Sequence, residues 1–151
     1  MGRITTNADD FRKELVRCLE LAPGHHAPVL VFTEVHSLLL SVRAIFVVPD
    51  GSKMRLIKRI WFPPKQRDNI VLYDLDHIIM RDHTRVLDRM QAEMIFEYMS
   101  FPMKKPAKLE GVLLDGSEYK LRLTNGKHFT WNKSEQLTGS LKKLVDWVEE
   151  L

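Results

Sequence analysis

One cysteine, Cys18, in 151 residues leaves no intramolecular disulfide and no cysteine-based zinc cluster. It is the cysteine usage expected of a reducing compartment. No stretch of about eighteen consecutive apolar residues occurs. The first residues, MGRITTNADDF, are polar and acidic where a secretory leader needs an apolar run. Together these absences predict a soluble, cytoplasmic protein that does not enter a membrane. Also missing are a Gly-rich phosphate loop, a G-x-S-x-G elbow, an H-E-x-x-H helix, a Cys/His dyad, and the helix-turn-helix, RNP and zinc-finger patterns of nucleic-acid readers. No cofactor is therefore expected.

What the chain does have is core material: 44% of its residues are hydrophobic. At this length about two-thirds of the unfolded surface is buried on folding, so residues 1–151 are read as one globular domain. The net charge of +3 is modest, but its placement is uneven. Lys53, Arg55, Lys58, Arg59, Lys65 and Arg67 follow one another with no acid between. The next stretch carries Asp68, Asp74, Asp76, Asp82 and Asp88 against Arg81 and Arg85.

Periodicity divides the chain into elements. Asn7 is a suitable helix N-cap, Asp9 and Asp10 suit the positive end of a helix dipole, and Phe11, Leu15 and Leu19 recur at helical spacing. They predict a helix over 8–21. APGHHAP ends it, and 29–32 and 38–48 are rich in β-branched and aliphatic residues. PDGS at 49–52 then turns the chain into a strand over 53–62. A further strand is expected over 70–80, followed by a helix capped by Asp82 or Thr84 whose apolar stripe is Val86, Leu87, Met90, Met94, Ile95, Tyr98 and Met99. Two turn signals, Asp115-Gly116 and Asn125-Gly126, cut the next part into three short strands. A last helix has Leu141, Leu144, Val145, Val148 and Leu151 on one face. The order α-β-β-β-β-α-β-β-β-α predicts an α+β fold with antiparallel pairing.

The register at Asn125-Gly126 bears on function. A two-residue loop would leave Phe129 and Trp131 beside Lys120 and Arg122, as a stacking platform for nucleic acid. A three-residue loop, Thr124-Asn125-Gly126, pairs Tyr119 with Trp131 and Leu121 with Phe129, making one face apolar and leaving Glu118, Lys120, Arg122, His128 and Thr130 wet. Burying an aromatic side chain is worth roughly 1.5–3 kcal/mol, and a one-residue slip would forfeit both. The three-residue loop is predicted.

Along 53–62, Met54, Leu56, Lys58, Ile60 and Phe62 fall on one side and Lys53, Arg55, Ile57, Arg59 and Trp61 on the other. The second face is the candidate binding surface: Lys53, Arg55, Arg59 and Trp61, continued by Lys65 and Arg67. The run YDLDHIIMRDHTRVLD looks more like an enzyme, but only Asp74 and His77 among its acids and histidines stand three or four apart. Asp74 and Asp76 could hold Mg²⁺ only if a turn brought Asp82 or His83 to them. No catalytic residue and no metal ligand is assigned. The expected function is non-enzymatic binding of another protein, as an inhibitor, an immunity- or antitoxin-like protein or an adaptor. Nucleic acid or another polyanion on the basic strand, a homo-oligomer through a sheet edge, and a metal-assisted hydrolase at Asp74 and Asp76 are the alternatives.

Overall fold

The computed structural model describes residues 3–24, 26–37, 39, 41–62, 73–76, 78–108, 116–132 and 135–151. In chain order the elements are β1 (Ile4–Thr5), α1 (Ala8–Glu20), β2 (Leu30–His36), β3 (Val42–Asp50), β4 (Lys53–Trp61), β5 (Tyr73–Asp74) and β6 (Met80–Val86). They continue with α2 (Arg89–Ser100), β7 (Ala107–Lys108), β8 (Ser117–Leu123), β9 (His128–Asn132), β10 (Glu135–Gln136) and α3 (Gly139–Glu150). Six of the strands form one antiparallel sheet in the order β6-β4-β3-β2-β8-β9. The remaining strands make two-residue ladders, β1 with β5 and β10 with β7. The fold is α+β, as the element pattern predicts.

The central strands read as nearly unbroken apolar runs because both faces of the sheet are covered there. On one face Leu30, Phe32, Ile45, Val47, Leu56, Leu121, Leu123 and Trp131 meet Ile95 and Met99 of α2 and Leu141, Leu144, Val145 and Val148 of α3. On the other, Val31, Val35, Val42, Ala44, Phe46, Val48, Ile57 and Trp61 meet Phe11, Leu15 and Leu19 of α1. The two coverings are offset. The α2–α3 pair lies over β3, β2, β8 and β9, and α1 lies over β2, β3 and β4. Among the described residues this leaves the outer part of β4 and β6 up to Thr84 without a helix on the α2–α3 side, while Arg85 meets Gln91 of α2 and the Leu151 oxygen at the end of α3.

Local chemistry explains the element ends. The Asn7 side chain accepts from the amides of Asp9 and Asp10 at 2.9 and 3.3 Å, which satisfies two donors that the first helical turn leaves free. At α2 the cap is Asp88, not Asp82 or Thr84: its carboxylate accepts from the Gln91 amide at 2.8 Å while the Gln91 side chain accepts from the Asp88 amide at 3.2 Å. Asp82 and Thr84 are displaced from that role because Met80–Val86 forms a strand along β4. The strand expected over 70–80 is reduced, within the described residues, to Tyr73–Asp74, with a turn at Leu75 and Asp76. Of the stripe assigned to α2, Ile95 and Met99 are buried, Met90 is 70% exposed, and Val86 belongs to the strand before it.

The three-residue loop at Asn125-Gly126 is present. Tyr119 pairs with Trp131 and Leu121 with Phe129, the Leu123 amide donates to the Lys127 carbonyl at 2.9 Å, and Gly126 takes a φ of 86° that a side chain would resist. The rings of Phe32, Tyr119 and Trp131 pack together, Tyr119 and Trp131 stacked at 5.7 Å.

Candidate functional site

The candidate strip on β4 does not form one exposed surface. Trp61, at 8% exposure, lies in the α1 core with its ring 5.9 Å from Phe11. Arg59, at 9%, points inward beside it. Its guanidinium sits over the Phe46 ring at 4.9 Å, grips Asp82 with two bonds of 2.8 and 3.0 Å, and donates through Nη1 to the carbonyls of Cys18, Leu19 and Leu21 at 3.1, 3.2 and 2.7 Å. Those carbonyls end α1 and carry its negative pole, so Arg59 closes the helix and is spent on the fold. Arg55 pairs with Asp50 at 2.6 Å, both about half-exposed, and Lys53 is solvated at the hairpin. Lys65 and Arg67 lie outside the described residues. The alternation along β4 is the one its sequence predicts; what differs is which side is covered, because α1 packs over the face that carries Arg59 and Trp61.

The exposed functional candidate is the other face of the same strand. Beyond Leu56, which is buried, Lys58 is half-buried while Ile60 and Phe62 are 42% and 43% exposed. The neighbouring strand sets Arg85, His83 and Arg81 opposite Leu56, Lys58 and Ile60, and directly opposed residues share a face. Arg81, His83 and Arg85 are all exposed. The Arg81 guanidinium covers the Phe62 ring at 4.7 Å, and Arg85 donates to the Leu151 backbone oxygen at 2.6 Å. The patch therefore mixes cations with apolar groups on bare sheet.

Its inner border is Arg43, which is neutralised. Burial works against the charge, and hydrogen bonds to Glu149 at 2.6 Å and Glu34 at 3.1 Å more than offset it, raising the pKa above the ordinary arginine value. At the Val86 end the patch runs into a groove of about 660 Å³ lined by Met54, Val86, Leu87, Ala92 and Phe96, where Val86 and Phe96 are 46% and 43% exposed.

The opposite bare corner of the sheet is of another kind. On the α1 side of β8 and β9 stand Glu118, Lys120, Arg122, His128 and Thr130, the predicted wet face; all but the half-buried Lys120 are exposed, and Lys120 lies 3.6 Å from Glu118. No large exposed apolar side chain interrupts it among the described residues. It reads as solvated surface.

The Asp and His run is taken apart by the fold. Asp74 accepts from the Asp76 amide at 3.0 Å, and Asp76 binds the Arg3 side chain at 2.8 Å and the Arg3 amide at 2.6 Å, which fastens the chain to the β1–β5 ladder. Asp82 turns toward α1 to hold Arg59, and His83, next in sequence, turns to the opposite face. His77 lies outside the described residues. Among the described residues no three His, Cys, Asp or Glu side chains come together as metal ligands would, and no helix is long and apolar enough to cross a membrane.

The sequence offered one signal for the patch that went unused: from 81 to 85 every second residue is basic or histidine, at the period of a strand. Comparison with protein-family models, with curated proteins and with solved structures finds no match for this chain.

Proposed function

We propose that this chain is a non-enzymatic binding protein whose target is another protein, held on the bare face of β4 and β6. The observation that carries this reading is the exposure of Ile60 and Phe62 on a part of the sheet that no helix covers among the described residues, ringed by Lys58, Arg81, His83 and Arg85. A core of apolar and aromatic groups with arginines at its rim is the composition of protein interfaces. A nucleic-acid platform offers open aromatic faces for bases to stack on; here the Phe62 ring already carries the Arg81 guanidinium over its face, and the apolar group beside it, Ile60, is aliphatic. The surface belongs with an inhibitor, an immunity- or antitoxin-like protein, or an adaptor, acting in the cytoplasm.

A photo-crosslinking amino acid placed at Ile60, and separately at Thr130 on the far corner, tests this in cells of the native host. A discrete protein adduct from position 60 and none from position 130 is expected. Adducts that disappear with nuclease or at high salt, with no protein among them, would refute the reading.

A further inference from the structure

We infer that the outer edge of β6 is completed by an extended, acidic segment of the partner, which adds to the sheet as a further strand. This rests on the protein-binding reading and goes further, to the shape and charge of what is bound.

The hydrogen-bond phase of the ladder shows which backbone groups are free. The Leu87 amide donates to the Met54 carbonyl at 2.8 Å and the Phe62 amide to the Ile79 carbonyl at 3.1 Å. In an antiparallel ladder bonded pairs alternate with non-bonded ones. The bonded pairs between these two contacts are therefore Arg85 with Leu56, His83 with Lys58, and Arg81 with Ile60. The amides and carbonyls of Met80, Asp82, Thr84 and Val86 consequently point away from β4, and among the described residues β6 has no second neighbour in the sheet. The strand is seven residues long, contains no proline, and pairs with β4 in unbroken register. Sheet edges are guarded by shortness, bulges, proline or charge; this one is long and regular, and its guard is charge alone, which a complementary strand would satisfy.

Charge selects the occupant. Arg81, His83 and Arg85 all stand on the α2–α3 side of β6, and the one acid of the strand, Asp82, is on the other side in the grip of Arg59. A second copy of β6 laid antiparallel in the required phase sets residues of this trio opposite one another in every alignment that overlaps them, and directly opposed like charges are destabilising. Self-pairing is disfavoured, and a strand with acids at alternate positions is favoured. Between the acids, small or β-branched apolar residues suit Met80, Thr84 and Val86. On the α2–α3 side, an apolar residue in place of an acid just beyond Arg85 would reach the groove between Met54 and Phe96. This is strand addition, in which the main chain supplies affinity and alternate side chains supply selectivity.

The probe is a fluorescent heptapeptide of alternating Glu and Val, compared with its Lys/Val counterpart. Binding of the Glu/Val peptide alone is expected, with the large gain in hydrogen-exchange protection at the amides of Asp82, Thr84 and Val86 and a smaller one at Arg81, His83 and Arg85, which are already bonded to β4. Thr84→Pro removes an outward amide, leaves the β4 ladder and the charges in place, and should weaken binding about ten-fold. A peptide N-methylated on the edge-facing amides should bind as weakly, which guards against a fold defect in the variant. Equal binding by the N-methylated peptide, or protection that does not alternate, overturns strand addition. If the position-60 adduct nevertheless persists, the protein-binding reading stands; if that adduct is also missing, both readings fall.

Discussion

Removing the Arg59 guanidinium should destabilise the protein more than any other single change on β4 outside the apolar core. Arg59→Met keeps the length of the side chain and much of its contact with Phe46 but withdraws the donors that Cys18, Leu19 and Leu21 share. A hydrogen bond to a charged group contributes about 1.5–3 kcal/mol net. The three carbonyls share one nitrogen, so they count as one to two such bonds. The ring contact adds about 1–2 kcal/mol, part of which methionine recovers. Asp82 loses its partner too, but its side chain is 36% exposed and water takes over there. The net expectation is about 3 kcal/mol, or a fall in Tm of about 6–12 °C for a chain of this size.

Urea and thermal unfolding followed by circular dichroism measure it. Arg59→Lys, which keeps the charge and loses the planar fork, should fall between wild type and Arg59→Met, and Asp82→Asn should cost about 1 kcal/mol. If Arg59→Met lies within about 0.5 kcal/mol of wild type, the guanidinium does not close α1. If Asp82→Ala proves as costly as Arg59→Met, the ion pair matters and the helix carbonyls do not.

Three further outcomes follow from other parts of the structure. The Glu14 carboxyl is held below its ordinary value of 4.5 by its hydrogen bond to Arg17. The stability it contributes is therefore complete above that value and is lost as pH falls through the lowered pKa, so Glu14→Gln should lower stability slightly at neutral pH, where this exposed pair is worth little, match wild type in acid, and thereby flatten the acid limb of a stability–pH curve. Gly116 has a φ of 83° and lies against the Ser37 side chain, whose amide donates to the Gly116 carbonyl at 2.7 Å; Gly116→Ala should cost about 1–3 kcal/mol, and Ser37→Gly should recover only the steric part. Trp147 carries a buried indole N–H with no hydrogen-bond partner among the described residues, so Trp147→Phe should cost less than about 1 kcal/mol, whereas Trp131→Ala, which empties a stacked core site, should cost about 3–5 kcal/mol by urea titration.

Most of the architecture was legible because most of it is amphipathic. Asn7 with its two aspartates, the apolar stripe from Leu141 to Val148, and the PDGS hairpin each state a local preference that agrees with the fold. The register at Asn125-Gly126 could be decided because a slip would expose two aromatic rings. β6 was not legible for the converse reason. MRDHTRV is an edge strand whose residues are exposed or, at Met80, half-buried, so no burial imprints a pattern on it, and its aspartates resemble helix caps. The face of β4 was misjudged on similar grounds. Alternation separates its two sides, but only the tertiary position of α1 decides that Arg59 and Trp61 turn inward while Ile60 and Phe62 stay out. An arginine that ends a helix forty residues away in sequence has no local signature.

The offset helix coverings also set a gradient of opening across the sheet. β2 and β3 carry core on both faces and have strands on both sides, so their amides exchange with solvent only when the whole molecule unfolds. Among the described residues β6 has one neighbour and nearly bare faces, so its hydrogen bonds to β4 can break while the rest persists. A strand that opens and recloses on its own samples slightly different twists at little cost. The face proposed to meet a partner is thus also the part that can adjust to one without loosening either core.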